Sequence, residues 1–477
     1  MPHNFWSEND SHQEFDPIAS LLSELSDPEE EEEEFRSDFF QGLEGRRRKA
    51  AFTLMLVWGI VIALHLLSWG YWLVLGFTSL LSFQALRLVF AQPPTTPKPL
   101  TAEGLASAPT VSLLVAAKNE ELVIANLVQR LCAINYPQDK YEVWVINDNS
   151  SDHTPVILDK LAQEYTQLKV LHRGANASGG KSGALNQVLS LAKGEIIGVF
   201  DADARISPDL LLQVVPMFNE AKMGAVQVRK AIANASVNFW TKGQKAEMAL
   251  DSYFQQQRIA LGGIGELRGN GQFVRRSALN RCGSWNEQTI TDDLDLTIRL
   301  HLDNWDIGFL PFPAVEEEGV TSFKALWHQR NRWAEGGYQR YLDYWRLIIS
   351  NRMGLAKTID LLSFMLMQYL LPAAAIPDTL MVVAYHRLPV LSPLTVSMLF
   401  LLPLWAMTTG LRRTGGEKLS FSSLLFICTQ TFRGMIYMLH WLLVMTFTTA
   451  RMSIRPKRLK WVKTVHQGSE EGLEVRL

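Results

Sequence analysis

EIIGVFDAD, residues 195–203, carries five apolar residues directly into two aspartates separated by one alanine. A short, uninterrupted apolar run is the pattern of a strand buried on both faces. TVSLLVAA (110–117) and EVWVIND (142–148) have the same character and are rich in β-branched residues. Between them lie stretches with helical spacing, NEELVIANLVQRLCAI (119–134) and HTPVILDKLAQEY (153–165). Strand alternating with helix predicts an α/β domain with a mostly parallel sheet. In such a sheet ligands bind beyond the carboxyl ends of the strands. The polar residues that end these runs, Asp148 and the pair Asp201 and Asp203 among them, are therefore candidates on position alone.

Outward from this domain the composition changes sharply. The chain has 477 residues and a formal charge of −2, so it exerts no general pull on nucleic acid. No basic stripe with interleaved aromatics points to a nucleic-acid partner either. Its three cysteines, Cys132, Cys282 and Cys428, fit no zinc spacing and read as reduced thiols. Residues 1–45 are polar and acidic and include the run Glu29–Glu34, which predicts a disordered tail.

RRRK at 46–49 precedes two apolar stretches, 51–69 and 71–90, each near the ~20 residues that span a bilayer. Together they make residues 46–92 a pair of transmembrane helices, with Trp69, Tyr71 and Trp72 at the junction where aromatics favour the interface. A Pro-rich linker follows (93–107), then the soluble domain (108–320). Residues 321–357 mix Trp, Tyr and Arg with scattered Leu and Ile, as expected of helices lying at a membrane surface.

A C-terminal membrane region, 358–450, holds three apolar stretches, 359–384, 390–410 and 421–449. The basic residues Arg412, Arg413 and Lys418, and the tail 451–477, should face the cytoplasm with RRRK and the large domain. Three full crossings would put the tail on the opposite side. One resolution makes 421–449 a re-entrant or interfacial element, helped by Arg433 within it, and the number of C-terminal crossings stays open. The expectation is a multi-pass membrane protein with a cytoplasmic domain.

Four stretches carry chemistry. SGGKSGALN (178–186) sets Lys181 after two glycines, but a phosphate loop requires glycine six positions earlier, where Ala175 stands. Asp201 and Asp203 are hard oxygen ligands on a turn, suited to Mg²⁺, with Mn²⁺ as the alternative, completed by substrate phosphates. Exposed acidic pairs also occur simply to solvate loops. TDDLDL (291–296) brings Asp292 and Asp293, either as a helix start or as a base that takes a proton from a hydroxyl. QRNRW (329–333) offers guanidiniums for a diphosphate and an indole face for a sugar or acyl group.

AAKNEE, INDNSSD, GGKSGALN, DADA, GNGQFVRR, TDDLDL and QRNRW stand in an order that resembles the membrane-bound family-2 glycosyltransferases, over residues 108–340. The resemblance implies a GT-A nucleotide-diphospho-sugar domain and an inverting transfer from a UDP-sugar. It implies donor contacts from Ala117, Asn119, Asp148, Lys181, Asp201, Gln329, Arg332 and Trp333. It also implies a metal on Asp201 and Asp203, an acceptor pocket shaped by Gly269, Asn270 and Gly271 with Trp333, and Asp293 as base beside Asp292. Asn147 stands where many members carry aspartate, and Asp292 where the family has glutamate, keeping the charge with a shorter reach. The acidic tail, short linker and few spans further resemble members that glucosylate membrane lipids. This implies UDP-glucose as donor and 1,2-diacylglycerol as acceptor; a processive β-polysaccharide synthase is the alternative.

Overall fold

The computed structural model describes residues 45–415 and 420–454. The tail with Glu29–Glu34, Lys418 and the basic residues beyond 454 lie outside the described residues.

Two helices come first, α1 (Arg46–Leu66) and α2 (Gly70–Phe90). Then strand and helix alternate: β1 (Val111–Ala117), α3 (Ile124–Cys132), β2 (Tyr141–Asn147), α4 (Thr154–Glu164), β3 (Leu168–His172), α5 (Gly180–Leu189) and β4 (Ile196–Phe200). After β5 (Met223–Ile232) come α6 (Phe239–Ala260), β6 (Gln272–Arg275), α7 (Asp292–Leu302) and β7 (Asp306–Glu317). The seven strands form one sheet in the order β3-β2-β1-β4-β6-β5-β7. Only β6 runs against its neighbours β4 and β5; the other pairings are parallel.

Side-chain alternation divides each strand between two apolar layers. Leu113 and Val115 of β1 face Ile124, Leu127, Leu158 and Leu161 of α3 and α4. Leu114 faces the other way, toward Ala184, Leu185 and Val188 of α5 and Leu296 and Leu300 of α7. Chain order reverses between β1 and β4, which opens a crevice at their carboxyl ends.

The remaining described elements are helices: α8 (Phe323–Ile349), α9 (Leu355–Tyr385), α10 (Ser392–Gly415) and α11 (Phe421–Ile454). Among the described residues four helices are long and apolar enough to cross a membrane: α1, α2, α9 and α10. α11 is not in that set; it carries Gln430, Arg433 and His440. Where several surface helices were expected between 321 and 357, one 27-residue helix forms, buried on much of its circumference. Its length follows from a Ser322 cap, whose Oγ accepts the Ala325 N–H, and from the absence of proline up to Ile349.

The soluble domain and the apolar helices share packing. Ala246, Ala249, Leu250 and Tyr253 of α6 lie against Ala406, Met407 and Leu411 of α10. The Gln257 amide donates to the Leu88 and Ala91 carbonyls at 2.7 and 2.9 Å, covering the end of α2. Arg46 at the start of α1 makes two bonds to Asp343 of α8, at 2.7 and 2.6 Å.

Candidate active site

The crevice is built from strand ends. Ala117 and Asn147 are paired across β1 and β2, and the Asp148 N–H donates to the Ala117 carbonyl at 2.8 Å. Buried Arg173, just past β3, holds the Asp148 carboxylate at 2.5 Å. Asn147 spends its side chain on the fold: Oδ1 accepts the Ser150 N–H and Nδ2 meets His172. An aspartate there would have no amide donor for His172.

The turn after β4 delivers Asp201 and Asp203. The Asp201 N–H donates to Asn270 Oδ1 at 3.2 Å, and Asp203 Oδ2 accepts the Glu318 N–H at 2.8 Å. Lys181, in the first turn of α5, donates to Asp201 Oδ1 at 2.6 Å. Burial opposes the Lys181 charge, but Asp201, Asp292 and Asp293 outweigh it and hold its pKa above the ordinary value. Asp201 is burdened by burial too, yet Lys181 keeps its carboxyl below the usual range.

Asp292, Asp293 and Asp295 all fall in the first turn of α7. The helix does start here, with Thr291 at its N-cap, but Thr291 makes no side-chain capping bond and packs against Gly336 of α8. The three carboxylates have different surroundings. Asp295 is bound by Arg299 and by the Tyr344 hydroxyl. Asp293 stays at the crevice, where Gly269 lies flush against it: a Cβ on Gly269 would stand 3.4 Å from Oδ2. Burial pushes the Asp293 carboxyl up to about 6, and the neighbouring Asp292 charge adds to the shift.

From α8, Gln329, Arg332 and Trp333 reach the crevice. Burial pulls the Arg332 pKa down, and Asp201, Asp293 and Asp292 oppose that pull. The other guanidinium of QRNRW, that of Arg330, does not join them. Arg330 turns to Glu247 and the Tyr437 hydroxyl and lies beneath the Trp333 ring, 4.0 Å from its centroid.

One cavity of about 600 Å³ unites these groups. Ala117, Asp148, Lys181, Asp201, Asp203, Gly269, Asp292, Asp293, Gln329, Arg332 and Trp333 all line it. Asn119, Asn270 and Gly271 do not line it and serve behind the wall. Asn119 joins the loops after β1 and β2, its Oδ1 accepting the Ser151 N–H at 2.7 Å. Asn270 orients Asp201. Gly271 has φ +70°, and a Cβ there would stand 2.8 Å from Val315 Cγ2. Gly271→Ala should therefore destabilise the fold by about 1–3 kcal/mol, read as a lower denaturation midpoint in detergent.

Sequence reading missed Lys230, which is paired with Glu317 at 2.7 Å and lies 5.4 Å from the Trp333 ring centroid. It also missed Arg173 and Arg268. Arg173 directly follows a strand, as Asp201 does, and that criterion would have found it; Lys230 lies within β5, two residues before its end.

Away from the strand ends the cavity gains apolar walls, beside the charged Glu247 and Asp251 of α6. Phe254 of α6, Phe364 of α9, and Met438 and Met445 of α11 form its walls there.

Residues 108–336 match the family described as Glycosyltransferase like family 2. The β-monoglucosyldiacylglycerol synthase of Trichormus variabilis is 62% identical, over 99% of this chain and 100% of its own. The chain belongs to the family-2 glycosyltransferases. The synthase of the same name from Synechocystis is 59% identical over the full length of both chains. The poly-β-1,6-N-acetyl-D-glucosamine synthase of Staphylococcus epidermidis is 29% identical over 51% of this glycosyltransferase and 59% of its own length. The domain is of GT-A type, and the four long apolar helices make this glycosyltransferase a membrane protein.

Proposed function

We propose that the enzyme transfers glucose from UDP-glucose to 1,2-diacylglycerol, with inversion, to give a β-glucoside. The observation that carries this reading is the cavity itself, which runs from carboxylates at the strand ends to apolar walls on helices of the membrane region. The glucolipid synthases resemble the whole chain, whereas the polymer synthase resembles only about half of it.

Asp148 and Ala117 would take the uracil end of the donor. Lys181 and Arg332 face the diphosphate, and Trp333 covers the sugar and acceptor. Among the described residues no cluster of three metal-ligating side chains occurs. Two carboxylates, Asp201 and Asp203, suit a Mg²⁺ or Mn²⁺ ion whose shell is completed by phosphate oxygens. Such an ion would neutralise charge on the departing UDP. Asp293 accepts the proton of the acceptor hydroxyl while its oxygen bonds to the anomeric carbon and the bond to UDP breaks. Lys181 and Arg332 stabilise the charge that develops on the diphosphate. With four crossings, RRRK, the catalytic domain and Arg412–Arg413 all lie on the cytoplasmic side.

Membranes supplied with labelled UDP-glucose and diacylglycerol should yield an alkali-labile lipid bearing one sugar. A water-insoluble polymer, or no lipid product, would refute the assignment.

A further inference from the structure

The part of the cavity walled by the helices contains polar groups that this reaction leaves without a task. In LLSFMLMQYLLPAAAI (361–376) of α9 the polar side chains are Ser363, Gln368 and Tyr369. Gln368 lines the cavity, and its Oε1 is buried with no hydrogen-bond partner. Within an apolar span that arrangement destabilises the fold, so the fold supplies no reason for an amide at this position.

The backbone is altered at the same place. Leu366–Leu370 forms a π-helical turn, an insertion that shifts helical register and is frequent at functional sites. The turn sits against the catalytic elements. A Cβ on Gly337 of α8 would stand 2.1 Å from the Tyr369 hydroxyl and 3.5 Å from Leu294, the neighbour of Asp293. Farther along α8, Arg340 also lines the cavity and is only 3% exposed. Its Nη1 lies 2.8 Å from a Glu266 oxygen as an ion pair, and neither Nη1 nor Nε makes a hydrogen bond.

We propose that Gln368, seconded by Arg340, is the specificity-determining contact for the ester groups of the acceptor. This rests on the diacylglycerol reading above. A diacylglycerol has one donor, the hydroxyl that reacts, and its remaining polar atoms are acceptors. A site that reads it must offer hydrogen-bond donors, N–H or O–H. The Gln368 carboxamide provides them after a half-turn about its last bond, and the Arg340 Nε–H is a second donor. With the ester carbonyls held there, the free hydroxyl is presented toward Asp293. The acyl chains leave past Phe364, Met438 and Met445.

The test compares dioleoylglycerol with its dialkyl ether analogue, which lacks both carbonyls, in mixed micelles at saturating UDP-glucose. The unaltered full-length enzyme should prefer the ester about tenfold in kcat/KM. Gln368→Leu should lose about tenfold on the ester and little on the ether, closing the gap, with the KM for UDP-glucose unchanged. Equal use of both lipids by the unaltered enzyme, or an equal loss on both in the variant, overturns the proposal. The comparison on the unaltered enzyme needs no variant; if Gln368→Leu fails to fold, Gln368→Met is read in the same way. Glucose transfer to neither lipid would instead refute the diacylglycerol assignment, whereas transfer to both alike refutes only the ester contact.

Discussion

Asp293→Asn should lower glucose transfer about 10³-fold while leaving UDP-glucose binding within a few-fold of normal. Asparagine preserves the shape at the start of α7 and can still accept the Leu294 N–H that Asp293 Oδ1 now accepts at 2.8 Å. It cannot take a proton from the acceptor. Isothermal binding of the donor alongside turnover separates the two effects, and an Asp293→Asn enzyme with near-normal turnover would remove this residue from the mechanism.

The same assignment fixes the pH profile. A base works in its ionised form, and burial raises this carboxyl to about 6. The rate should therefore climb as pH rises through about 6 and level off above it. Because the Asp292 charge contributes to the shift, Asp292→Asn should move the rising limb toward lower pH. A limb unmoved by that change would mean another group limits the rate.

The second large effect concerns the turn after β4. Asp201→Asn or Asp203→Asn should each reduce transfer about 10²–10³-fold, the scale of several kcal/mol of charge stabilisation. Asparagine at 203 can still accept the Glu318 N–H, so the loss would not reflect a broken turn. Chelation should abolish activity, and either Mg²⁺ or Mn²⁺ should restore it. With only two carboxylates in place, Mn²⁺ should bind appreciably only when UDP is present, which electron paramagnetic resonance can follow. Full activity in the presence of a chelator would defeat the metal assignment.

Residues differ in how plainly the chain announces them. β1, β2 and β4 are legible because strands covered on both faces must be apolar throughout, and their polar ends then stand out. β6 is short, four residues in all, and gives no periodic signal; its pairing is decided by the sheet edges it joins. Arg330 and Arg332 look alike in QRNRW. They diverge because residues two apart on a helix point in different directions, and only the folded chain shows which direction meets Glu247. Asn119, Asn270 and Gly271 belong to motifs that mark the site, yet each acts on backbone and loops behind it. Gln368 is hidden for a different reason: it lies inside an apolar run, and the π-helical turn defeats the regular helical spacing by which its face would be read.

The seating of α6 on α10 has a practical corollary for anyone who would cut the catalytic body free of its anchors. Ala246, Ala249, Leu250 and Tyr253 are shielded by residues that such an excision discards, and Gln257 would lose the carbonyls it covers. The liberated fragment would display a sticky strip along one flank and lose the wall that guides its greasy substrate. In this enzyme the bilayer anchor is also part of the tool.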